Sequence, residues 1–206
     1  MATDITSLVS KIQALLLDDG TAFTTATITA AVRQALMAYN QRAPIYKTTT
    51  ITAVADQYEY SLASVDPLQE VLALLNSGSD YMSFQKYFVD GSTHKIRLDE
   101  PVSEDFTLVY SIAHTIDGLD SETTTTLQAV HENCLCNLAA GISVVIRANG
   151  KVETVNLNAD VPAQYQRSWL LWKQAFDWAL FKIQVKERMP VGKRLPGWDD
   201  EYHGWK

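Results

Sequence analysis

Three side chains within one short stretch could hold a metal ion: His131, Cys134 and Cys136. Imidazole and thiolate suit zinc, but a structural zinc site needs four ligands. On a helix His131 and Cys134 share a face, while Cys136 is turned about 200° from Cys134. That divergence also argues against a disulfide between the two cysteines. The pattern favours a partly exposed histidine beside two buried thiols. His114 would complete a ligand set only through a coincidence of folding, so neither a metal nor any other cofactor is expected.

Carboxylates cluster twice. Asp99, Glu100, Glu104 and Asp105 flank Pro101. Acid–base work would need one of them desolvated, and a solvated turn is the simpler expectation. Asp199, Asp200 and Glu201 could bind a cation, but they fit better in the first turn of a helix, opposite the positive end of its dipole. No nucleophile elbow, phosphate loop, dinucleotide fingerprint or H-E-x-x-H pair occurs, and Ser103 and Ser168 have no obvious base. Arg33, Arg42 and Arg147 read as solvated or paired helix residues. The chain is therefore not expected to be an enzyme.

Aromatic surface is the more informative feature. Trp198, Tyr202 and Trp205 stand at i, i+4 and i+7 after Pro196-Gly197, the spacing of one face of a short helix. Arg188, Lys193, Arg194 and Leu195 form the stem of this C-terminal arm. A segment so short orders only against something else. A loose end, or one folded back on its own domain, is the bland alternative. Trp and Tyr are hot-spot residues, which favours a partner.

The arm hangs from a long helix expected over residues 162–187, with Pro162 near its start. Tyr165, Trp169, Trp172, Phe176, Leu180 and Ile183 form one apolar stripe. Leu170, Leu171, Trp178, Phe181 and Val185 form a second, nearly opposite. Two stripes imply two neighbours. Either both are buried in one bundle, or Leu171, Trp178, Phe181 and Val185 form an interface between subunits.

The remaining elements follow from period. Ile5, Leu8, Val9, Ile12, Leu15 and Leu16 predict a first helix, capped by Thr3 or Asp4 and stopped by Asp19-Gly20. Thr27 opens a second, with Ile28, Val32, Ala35, Leu36 and Tyr39 on one face and Pro44 beyond it. From Lys47 the period becomes two. Strands are expected over 48–54, returning through Asp56-Gln57 into 58–62, then over 81–89, 94–98 and 106–113; residues 68–75 could form a short helix, but their place between strands favours a strand. A loop with four threonines leads to a third helix over 127–148, ended by Asn149-Gly150. Its small residues Ala139, Ala140 and Gly141 would let a neighbour approach closely. The fold class is α+β: a small bundle of about four helices, an inserted antiparallel β unit and an extended C-terminal arm. The expected divisions are 1–46 with 115–187, then 47–114, then 188–206.

The chain has 206 residues and a net charge of -7, with 47% hydrophobic residues. That composition is ordinary for a globular protein, and the charge argues against a phosphate-binding surface. The N-terminus lacks the basic and apolar regions of a signal peptide. No apolar run is long enough to span a bilayer, so no membrane partner is expected. The two cysteines fit a reducing cytoplasm.

The stretch from Ile28 through Ala-Leu-Met-Ala-Tyr39 to Pro44 resembles the second helix of head-to-tail connector (adaptor) proteins of tailed bacteriophages. Their Thr/Val strand and tyrosine-bearing strand are similar to residues 48–54 and to Tyr58-Glu-Tyr-Ser-Leu62. Gly118-Leu119-Asp120, the threonine tract, Ala139-Ala140 and the closing aromatic helix with its extension also resemble that family. The resemblance spans most of the chain by order of elements and is specific in residues 28–62. It implies a virion protein of the neck, made in the host cytoplasm, forming a ring typically of twelve copies beneath the portal protein. It implies that the ring extends the DNA channel, lets DNA pass without specific binding, and seats neck and tail proteins. It implies, too, that residues 188–206 reach onto the portal. The alternatives are a tail-completion or tail-terminator protein, or an interaction module unrelated to phages.

Overall fold

The computed structural model describes residues 3–18, 20–65, 67–152 and 160–188, with side chains described except at 130, 149–152, 160–165 and 183–188. The architecture is α+β, with four helices and antiparallel sheets among the described residues. The arm, including Lys193, Arg194, Leu195, Trp198, Tyr202 and Trp205, lies outside them, as do the side chains of Arg188 and Val185.

Helix α1 spans Ile5–Leu15 and buries Leu8, Val9 and Ile12. Asp4 caps it, its carboxylate accepting the Ser7 N–H at 2.7 Å. The helix stops sooner than Asp19-Gly20. Leu17 takes the left-handed conformation at φ 52°, and Asp18 N–H donates back to the Gln13 carbonyl. This is a helix terminus that glycine usually occupies. The Asp18 carboxylate then accepts the N–H groups of Gly20, Ala22 and Phe23. Helix α2 covers Thr25–Arg42 and begins earlier than Thr27, because Thr24 Oγ1 accepts the Thr27 N–H. Ile28, Val32, Ala35, Leu36 and Tyr39 are all buried.

The strands are β1 (Ile45–Ile51), β2 (Glu59–Ser61), β3 (Glu70–Leu75), β4 (Tyr81–Met82), β5 (Phe84–Asp90), β6 (Thr93–Leu98) and β7 (Phe106–Ile112). One sheet has the order β1-β7-β3-β4 and the other β2-β6-β5. The turn at Asp56 forms as expected, with φ 59° and a bond from Gln57 N–H to the Val54 carbonyl. The expected return of the chain onto β1 does not. Instead β1 pairs with β7, and β2 pairs with β6 in the other sheet. The partners are chosen by burial. Phe106, Leu108, Tyr110 and Ile112 give β7 a strongly apolar face, and Tyr60 and Ile96 bury together in the other sheet. Tyr60 then meets Phe106 edge-on, ring centroids 5.1 Å apart.

The strand expected over 81–89 is two strands. Tyr81–Met82 pair with β3 across the Asn76–Asp80 turn, where Ser79 has φ 67° and Asn76 Oδ1 accepts the Asp80 N–H. Phe84–Asp90 pair with β6 instead. A bulge between Val71 and Ala73 turns Leu72 outward while Val71, Ala73 and Leu74 stay buried. Such an extra residue resets which side chains face the core.

Helix α3 is Ala129–Val152 and α4 is Asp160–Arg188. The third helix thus runs through Asn149-Gly150 rather than ending there. A glycine costs a helix interior only about 1 kcal/mol, which neighbouring turns outweigh. Two compact units emerge by contact: Met1–Ser7 with Arg33–Leu127, and Leu8–Val32 with Gln128–Lys206. This division cuts α1 and α2, whereas the division expected from the sequence follows the change of period.

Candidate interaction surface

In the second unit α3 and α4 pack along their length. Gly141 permits it: a β-carbon there would stand 2.7 Å from Cβ of Trp172 and 3.1 Å from the Trp169 ring. Phe176 and Leu180, on the same stripe of α4, are each 2% exposed. The Cys134 thiol donates to the Phe176 carbonyl at 3.6 Å. Tyr165 and Ile183, the ends of that stripe, have side chains outside the described residues.

The other stripe faces outward. Leu170 is 53% exposed, Leu171 66%, Trp178 60% and Phe181 52%. Trp178 and Phe181 stack with centroids 6.0 Å apart, and Lys182 Nζ lies 5.0 Å from the centre of the Trp178 ring. Lys173 donates to Asp177 at 2.8 Å, one helical turn on. At these four positions the second stripe is not buried in a bundle of the described helices; the side chain of Val185, its fifth member, lies outside the described residues. Each large apolar side chain fully removed from water is worth about 1.5–3 kcal/mol, so the uncovered row is a substantial binding resource.

The candidate metal residues do not converge. Among the described residues no group of three or more His, Cys, Asp or Glu side chains could hold a metal ion. His131 is buried, not partly exposed: it stands one turn before Leu135, on the inward side of α3. Cys134 and Cys136 are both buried despite their different directions. Burial pushes the Cys134 thiol up to about 12, with the Asp177 carboxylate adding to it. Burial likewise pushes Cys136 up to about 11; the Glu132 carboxylate adds, and Lys11 opposes. Such thiols are poor nucleophiles at neutral pH. Glu132, in the first turn of α3, is buried and paired with Lys11 of α1. A glutamate in a first helical turn reads as a dipole acid, so nothing local marks it.

The carboxylates Asp99, Glu100, Glu104 and Asp105, in the link from β6 to β7, are exposed. Two of them tie turns: Glu104 accepts from Ser77 Oγ at 2.6 Å and Asp105 from the Ala53 N–H at 3.0 Å. Asp199, Asp200 and Glu201 lie outside the described residues. Arg147 sits over the Phe23 ring at 4.8 Å.

In the first unit Arg33 binds both oxygens of Asp120, its Nε 2.9 Å from each. Asn40 and His114 exchange side-chain and backbone hydrogen bonds at 3.3 and 2.8 Å. The threonine tract is an ordered clamp: Thr126 Oγ1 accepts the Thr115 N–H at 2.8 Å, and Thr125 Oγ1 accepts the Asp117 N–H at 2.9 Å.

No helix among the described residues is long and apolar enough to cross a membrane. No protein-family model matches the chain, and no curated protein matches it.

Proposed function

We propose that this chain is a structural virion protein, a head-to-tail adaptor that assembles as a ring beneath a phage portal and seats the neck or tail. The observation that carries the reading is the outward stripe of α4, where Leu170, Leu171, Trp178 and Phe181 stay more than half exposed while Phe176 and Leu180 are buried on α3. A closed ring uses two different faces of each subunit, and a helix with a second apolar face supplies one of them. The net charge of -7 would repel DNA phosphates, which suits a wall that a genome slides past. The arm, residues 188–206, is assigned to the portal by resemblance alone. A partner that clamps aromatic side chains would suit Trp198, Tyr202 and Trp205.

Two measurements test this. Size exclusion with light scattering, alone and on portal-bearing capsids, should find a ring; a tight dimer in both settings would refute the adaptor. Deleting residues 188–206 should leave the fold intact and abolish docking to portal-bearing capsids. Unchanged docking would remove the arm from the portal contact.

A further inference from the structure

We infer that the outward stripe of α4 is the docking site of this chain's own segment 198–205. Leu171, Trp178 and Phe181 stand at i, i+7 and i+10, a row about 15 Å long on a helix. An uncovered aromatic row of this kind marks a binding surface. Trp198, Tyr202 and Trp205 present a second row, which as a helix would run about 10 Å.

Chain length allows the two to meet. α4 ends at Arg188. Residues 189–197 intervene and could extend to about 30 Å. Leu171 lies about 25 Å back along α4 from Arg188. Proline cannot continue a helix and glycine tolerates tight turns, so Pro190, Gly192, Pro196 and Gly197 are residue types compatible with a reversal.

Charge suits this occupant: exposed Lys182 flanks the stripe and the segment carries Asp199, Asp200 and Glu201, while Lys173 is already paired with Asp177. The tether also makes the contact intramolecular, at the high effective concentration of a short linker. The arm and a neighbouring subunit then compete for one stripe, so the stripe is free for assembly only once the arm is drawn off. That last consequence rests on the adaptor reading; the contact itself does not.

The test uses the full chain with Lys182→Cys and Glu201→Cys under mild oxidation. The buried Cys134 and Cys136 do not compete. A disulfide within one chain, forming at a rate independent of dilution, is expected. No cross-link, or one only between chains, overturns the proposal; the latter makes a second copy the occupant. Deleting residues 198–206 should raise the fluorescence of a hydrophobic dye several-fold and speed amide exchange in residues 170–181. The triple variant Trp198→Ala, Tyr202→Ala, Trp205→Ala should do the same if the truncation unfolds. No change in the folded variant would overturn the contact. No capsid is used, so failure here leaves the adaptor reading standing, and failure of capsid docking leaves this contact standing.

Discussion

A β-carbon on Gly141 would stand 2.7 Å from Cβ of Trp172, a separation real side chains do not adopt. The absence of a side chain at one position of α3 is therefore what lets the aromatic stripe of α4 seat against it.

Replacing Gly141 by alanine should destabilise the second unit. Helix propensity alone would favour alanine by about 1 kcal/mol. Overpacking against Trp172 and the Trp169 ring opposes it by about 1–3 kcal/mol. The net loss should appear as a lower urea midpoint, with Gly141→Val lower still. A gain in stability from Gly141→Ala would show that the helices part without strain.

Two aromatics on α4 should behave oppositely. Phe176→Ala, in the buried stripe, should cost about 3–5 kcal/mol. Phe181→Ser, in the outward stripe, should change the stability of the chain lacking residues 198–206 within about 0.5 kcal/mol. It should weaken whatever covers that stripe, whether arm or subunit. Equal losses of melting temperature in both variants would mean that the two faces are equally buried.

The thiols predict an alkaline loss of stability. Below the ordinary thiol value of 9.0, folded and unfolded chains both hold these protons. As pH rises past 9.0 the unfolded thiols ionise first. The buried ones keep their protons up to about 11 for Cys136 and about 12 for Cys134. The unfolded state then binds fewer protons, so stability falls across that window. Comparing the chain with its Cys134→Ala, Cys136→Ala variant removes the background of other titrating groups. The double variant should show a shallower alkaline decline, and alkylation of the native thiols at pH 8 should be slow until the chain is unfolded.

Asp120 should work in the opposite direction. Its hydrogen bond to Arg33 holds the carboxyl below 3.8, so its contribution is present above that value and lost as pH falls through the depressed one. Asp120 and Ser121 both have positive φ, at 53° and 70°. Asparagine tolerates that backbone, so Asp120→Asn removes the charge without imposing strain. Limited proteolysis within residues 117–126 should quicken in the variant at neutral pH. The difference should close as acid protonates Asp120 in the parent; a persistent gap would place the effect in the backbone.

Much of the local structure is legible in the residues. The period of α1, α2 and α4, the Asp4 cap, the Asp56 turn and the strands over 94–98 and 106–113 all follow from neighbours in sequence. The two-sided character of α4 is legible in the same way, since stripes depend only on helical pitch. Other features are not. Glu132 looks like any first-turn acid until Lys11 is brought beside it. His131 looks exposed until α3 is buried on that side. The turn at Asp56 says that the chain reverses but not which strand it will pair with.

By itself, then, the sequence determined where helices and strands form, that α4 has two apolar faces, and that the chain is acidic. Only the tertiary structure decided that β1 joins β7 while β2 joins β6. It alone decided that a bulge turns Leu72 outward, and that Phe176 is buried against α3 while Trp178 faces away from it. Secondary structure is set by residues a few positions apart, which the chain order already brings together. Strand partners and buried faces are set by competition among distant apolar surfaces, and that competition is resolved only when the chain packs.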